Sequence, residues 1–105
     1  MSNEISVTLE EVQEQIKLGE MLDTLHKNRA FRTLILEQYF EKEAYELVKL
    51  KAHPMNEMQK ELIDNKMIGI SALQNYFRGL YAKAESASDT LKEYEQAQQE
   101  MITEE

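Results

Sequence analysis

Asp23 and His26 stand three apart, a spacing that puts a carboxylate and an imidazole on one face of a helix. This is one half of a di-metal helical pattern. A complete centre needs two Glu-x-x-His pairs and two further carboxylates from neighbouring helices. The residues before His53, the second histidine, supply no such partner pair, so a metal centre is not expected. Lys27, Arg29 and Arg32 surround Phe31, and a basic cluster around an aromatic ring is a candidate contact for a phosphate backbone. Three cations make a thin signal. Glu37, or the carboxylates of an acidic first helix, would pair with them equally well. A helix-turn-helix across Asn28 would require the second helix to lie in a groove, and that helix is too apolar for it.

Other chemistries find less support. The chain has no cysteine, which excludes a disulfide, a thiolate zinc site and a thiol nucleophile. No Gly-x-Gly-x-x-Gly, P-loop or Gly-x-Ser-x-Gly occurs. Carboxylates are numerous, but at this composition they form solvated helix faces, and no acid–base pair stands out. No catalytic residue, cofactor or metal is expected, and an enzyme is the least supported class.

The densest aromatic cluster is Asn75-Tyr76-Phe77-Arg78, joined by Tyr81 one helical turn later. Structural packing explains it better than a ligand pocket, and Tyr39-Phe40 is expected to pack against it. Phe77 belongs to a longer pattern. Ile70, Leu73, Phe77, Leu80, Ala84, Ala87, Leu91, Tyr94, Gln98 and Met101 follow one another in alternating steps of three and four. Such a heptad seam marks a helix that packs along its length against other helices. Ala84 and Ala87 are small enough to let a neighbouring helix approach closely. The expected protein interface comprises Phe77, Leu80, Tyr81, Ala84, Leu91 and Tyr94.

The elements that position these residues are all helical. The chain is 105 residues long, rich in charge, and carries one proline and three glycines, a mix that favours helix. The spacing predicts three helices over about 8–27, 29–51 and 56–100, with the first two as a hairpin packed on a long third helix bearing coiled-coil heptads. Thr8 with Glu11 has the form of a capping box, and Val7 with Val12 that of a hydrophobic staple. Gly19 on the first helix signals either close approach of a neighbour or mere tolerance. Asn28 is either a left-handed stop or the cap of the next helix. Apolar residues cover more than a narrow stripe of the second helix, which makes it the helix expected to be most buried. Pro54 ends that helix by disfavouring helical geometry at His53. Asn56 with Gln59 forms a second capping box. Ser86-Ala87-Ser88-Asp89-Thr90 is the weak point of the third helix, where side chains compete with the backbone. A bend there is compatible with one continuous helix. The expected organisation is one helical domain over 1–105, with a flexible N-terminus at 1–7 and an acidic, projecting C-terminal helix at 89–105.

Charge is unevenly placed. The formal net charge is −8; residues 1–25 sum to −5, 26–51 to +2, 52–88 to zero and 89–105 to −5. A negative field opposes general phosphate binding, so nucleic acid is a disfavoured partner. Leu34-Ile35-Leu36 is the longest aliphatic run, too short to span a membrane, and the N-terminus does not read as a secretory signal. A soluble cytoplasmic protein without membrane contact is expected.

A resemblance extends this reading. Leu18-Gly19-Glu20, Leu22, Leu25, Asn28 and Phe31, then Tyr39-Phe40, Glu43-Ala44, Leu47 and Leu50, then Gly69-Ile70, Leu73 and Tyr76-Phe77-Arg78 resemble a family of small helical tailed-bacteriophage proteins. Those proteins are often encoded among virion structural genes. The likeness covers roughly Leu18 to Gln98 and rests on packing motifs. It implies a phage origin and a part in virion or capsid assembly, in the cytoplasm of the infected host or in the virion. It transfers no catalytic residue. The expected partner is a second copy or a larger structural protein. The alternative is a small acidic regulator that occupies a basic surface of a host or phage enzyme.

Overall fold

The computed structural model describes the backbone of residues 2–104 and the side chains of residues 9–102. Among these the chain is all-α: three helices, no strand, and a long third helix packed against a shorter pair. α1 runs Ser2–Lys27, α2 spans 29–51, and α3 runs Glu57–Glu104. No helix of the described residues is long and apolar enough to cross a membrane. Two compact packing units result, Met1–Asp23 with Gly79–Glu105, and Thr24–Arg78.

In the first of these units α1 lies antiparallel to the C-terminal part of α3, as Gly19 meets Ala84 and Asp23 meets Tyr81. Leu9, Val12, Ile16, Gly19 and Leu22 form the inward stripe of α1, and Ala87 is the buried counterpart on α3. Thr8 does not open α1, which begins six residues earlier at Ser2. The side chains of Val7 and Thr8 lie outside the described residues. Gly19 is required by close approach. A Cβ built there would fall on the Cβ of Ala84, nearer than two carbons can stand. α3 passes through 86–90 without a break. Thr90 Oγ1 donates to the Ser86 carbonyl at 3.0 Å, so the hydroxyl bonds back into its own helix instead of capping a new one.

In the Thr24–Arg78 unit α2 runs antiparallel to the N-terminal part of α3: Phe31 meets Phe77, Tyr39 lies by Gly69, and Lys51 pairs with Asp64. Asn28 is the cap of α2. Its backbone is extended, and its Oδ1 accepts from the Phe31 N–H at 2.9 Å. α2 then changes character. After one turn of α-helix at Arg29–Phe31, the segment Arg32–Glu43 is a π-helix, and Ala44–Lys51 is α-helical again. A π turn closes i→i+5 hydrogen bonds and so takes in more residues than an α turn. The half-buried residues of this stretch and its flanks are Phe31, Ile35, Leu36, Tyr39, Phe40 and Ala44.

α2 is not the most buried helix. Only Leu47 on it is buried, while Leu34, Tyr45, Val48 and Leu50 stay largely exposed. A helix with one neighbouring layer can hide one side only, and the broad apolar surface of α2 exceeds that side. Leu47, Ile63 and Ile70 make the core, with Tyr39, Phe40, Ala44, Met55 and Met67 packed around it. The connection to α3 follows the sequence signals. Ala52 and His53 N–H groups close tight bonds to the Lys49 and Leu50 carbonyls before Pro54. Asn56 N–H then donates to Gln59 Oε1 at 3.1 Å, and Gln59 N–H to Asn56 Oδ1 at 2.8 Å. This is a reciprocal capping box.

Candidate interaction surface

Asp23 and His26 are engaged separately. Asp23 Oδ1 accepts from the Tyr81 hydroxyl at 3.0 Å. Burial, then the hydrogen bond to Asp23, then the negative charge of Asp23 push the Tyr81 phenol above its ordinary value. His26 joins an aromatic cluster. Its ring sits 5.3 Å from Phe31 and 6.0 Å from Phe77, both edge-on, and Phe31 and Phe77 are 5.8 Å apart. Edge-to-face contact sets the positive rim of one ring against the negative face of another. Phe40 at 6.1 Å and Tyr76 at 6.0 Å extend the cluster about Phe77, so Tyr39-Phe40 does pack there. Among the described residues no three His, Asp or Glu side chains converge in a metal-holding group.

Lys27, Arg29 and Arg32 flank Asn28 and are all exposed. None of the three forms an ion pair with a described carboxylate. Of the six interface residues expected from the seam, Phe77, Leu80, Ala84 and Leu91 are half-buried against the chain's own helices. Tyr81 and Tyr94 are exposed.

The most open apolar surface lies elsewhere. α3 leaves Leu62, Lys66, Gly69 and Tyr76 exposed beside its buried seam. Leu62 is 56% and Tyr76 61% exposed. Leu34, Gln38, Lys42 and Tyr45 of α2 and Lys66 of α3 line a groove of about 720 Å³ whose floor includes Gly69 and Ile70. A smaller hollow of about 400 Å³, lined by Leu50, Pro54 and Leu62, shares Leu47 and Lys66 with it. Nothing but the Tyr39 hydroxyl, at 3.8 Å, would meet a Cβ at Gly69. No buried side-chain nitrogen or oxygen among the described residues lacks a partner, so no orphaned polar group is aimed into the groove.

No known protein family matches this chain, and no curated protein or solved structure does either.

The charges divide with the two units. Met1–Asp23 with Gly79–Glu105 holds thirteen Asp and Glu against three Lys, a net of −10, and Thr24–Arg78 holds nine Lys and Arg against seven Asp and Glu, a net of +2. The seam also begins earlier than Ile70. Ile63 and Met67 precede it in steps of four and three and pack in the core. The groove left no comparable mark.

Proposed function

We propose that this chain is a non-enzymatic helical interaction protein, a phage virion-structural or capsid-assembly component. It works in the host cytoplasm or the virion by helix–helix contact, with a second copy or with a larger structural protein. One observation carries the reading. Among the described residues six hydrophobic side chains are buried, while fifteen large ones are exposed, and none reaches complete burial. Apolar surface gathered in one place marks an association surface, and Leu34, Tyr39 and Tyr45 of α2 meet Ile70 of α3 in one open groove. The resemblance of its packing motifs to small tailed-bacteriophage proteins often encoded among virion structural genes supports the same reading. The test is the solution mass of the full chain by light scattering across a hundredfold concentration range, and pull-down from infected cells. A defined oligomer or a stoichiometric structural partner is expected. A monomer that captures no structural protein would end this reading.

The −10 charge of the Met1–Asp23 and Gly79–Glu105 unit favours a second reading, a small acidic regulator held on a basic surface of a host or phage enzyme. Glu93, Glu95 and Glu100 changed together to Gln would weaken such a complex and flatten its salt dependence. Contact through apolar helix faces predicts little effect of that change.

A further inference from the structure

α1 and the C-terminal part of α3 are packed together against their own charge. Met1–Asp23 holds six Asp and Glu against one Lys, and Gly79–Glu105 seven against two, so each partner of this antiparallel pair carries −5. Ion pairs do not relieve it, since none of Lys17, Lys83 and Lys92 pairs with a described carboxylate. On one flank of the contact Glu20 and Asp23 of α1 and Glu85 of α3 border a single hollow with no cation in its lining. Elsewhere Glu11 and Glu14 of α1 share a hollow with Lys83 of α3. The Tyr81 hydroxyl donates to Asp23, but a neutral donor leaves the charge of the carboxylate in place.

The apolar adhesion that opposes this repulsion is small. Among the described residues the buried apolar side chains of the unit are Val12, Leu22 and Ala87, and Gly19 and Ala84, which meet where no further Cβ fits, carry one methyl between them. The Thr24–Arg78 unit is held differently. It has the Leu47, Ile63 and Ile70 core, the rings around Phe77, a 2.7 Å ion pair from Lys51 to Asp64, and a net charge of +2. Like charge at short range destabilises a compact state, and salt screens it. We propose that Met1–Asp23 is a salt-gated strap on α3, which lifts from the C-terminal seam at low ionic strength and closes as salt rises while the Thr24–Arg78 unit stays packed. Lifting uncovers the seam at Leu80, Ala84 and Ala87. Both helices belong to one chain, so the strap operates whichever partner the protein takes.

The chain has no cysteine, so cysteines introduced at the exposed Gln13 and Gln96 carry nitroxide labels alone. The distance between them in the full-length protein is read by double electron–electron resonance, in an excess of unlabelled protein so that only distances within one chain count. From about 10 mM to about 150 mM sodium chloride the screening length falls from about 30 Å to about 8 Å, and the ratio of closed to lifted chains should rise on the order of tenfold. Glu85→Lys places a cation between Glu20 and Asp23 and should cut that rise to about threefold or less, with the closed distance favoured already at low salt. Glu61→Lys makes the same charge change on the other unit and should leave the rise within about twofold of the parent's. A second label pair, at Gln38 and Asn65, should keep its distance throughout. A Gln13–Gln96 distance that ignores salt overturns the strap, as does one that lengthens when salt rises. Equal movement of the Gln38–Asn65 pair also overturns it, because the whole chain then opens instead of one helix. If Glu85→Lys loses helicity by circular dichroism, Glu20→Lys replaces it from the α1 side with the same expectation. A dimer by light scattering changes none of these outcomes, so the strap and self-association stand or fall separately.

Discussion

Gly19→Ala is the sharpest test of how α1 meets α3. Two effects oppose each other. Replacing a mid-helix glycine by alanine gains about 1 kcal/mol of helix propensity. Against that, the new Cβ would occupy the place of the Ala84 Cβ. Neither methyl can swing aside, since each is fixed directly to its backbone, so the two helices must separate. Overpacking of this kind costs about 1–3 kcal/mol. The collision wins, and the net expectation is a loss of about 1 kcal/mol. Gly79 provides the internal standard, because a Cβ there would meet nothing within 4 Å. Gly79→Ala should therefore stabilise the protein by up to about 1 kcal/mol. The assay is urea unfolding followed by far-ultraviolet circular dichroism at a fixed protein concentration, analysed by linear extrapolation. The two alanines should differ by about 2 kcal/mol, with opposite signs. Adding Ala84→Gly to Gly19→Ala moves the methyl from one helix to the other and should recover most of the loss. If Gly19→Ala stabilises as much as Gly79→Ala, the close approach of α1 and α3 is wrong.

Three further outcomes follow from the same geometry. Phe77→Ala removes the ring around which His26, Phe31, Phe40 and Tyr76 are arranged, and should cost about 3 kcal/mol in the same unfolding assay. Asn56→Ala deletes the side-chain acceptor of the capping box and should cost about 1 kcal/mol, with Gln59→Ala adding little on top because the two bonds form one unit. For Tyr81 the folded protein holds the phenolic proton more tightly than the unfolded chain does. Its contribution to stability is thus complete below pH 10.0 and declines as pH rises above that value towards the folded pKa. Near-ultraviolet phenolate absorbance should show one tyrosine titrating late, and Tyr81→Phe should remove that late step.

Much of the fold was legible because its signals are local. Asn56 and Gln59 sit three apart, and a capping box needs nothing from the rest of the chain. Pro54 ends α2 through sterics with its own neighbour. The Asn28 alternatives were both local, and the fold chose the cap. Gly19 was legible as a signal but not in its meaning, since only the position of Ala84 distinguishes contact from tolerance. The π-helical stretch was not legible. Between Arg29 and Lys51 there is no glycine or proline to announce a change of helix type. α2 reads as the most buried helix because its apolar residues are many, whereas the fold covers one side of it and leaves Leu34, Tyr45, Val48 and Leu50 exposed. His26 was weighed as a ligand because its spacing from Asp23 is a sequence property, whereas its place beside Phe31 and Phe77 is tertiary. The groove was missed for a like reason. Leu34 and Tyr45 on α2 and Lys66 and Gly69 on α3 are brought to one space only by the packing of the two helices.

The wide turns of Arg32–Glu43 have a consequence for the shape of the space beside them. Within the Thr24–Arg78 unit Leu34, Gln38 and Lys42 on these turns border the groove beside α3, while Tyr39 and Phe40 on the same turns pack against Leu47, Ile63 and Ile70. One stretch of wide turns therefore walls the open space and closes the core behind it.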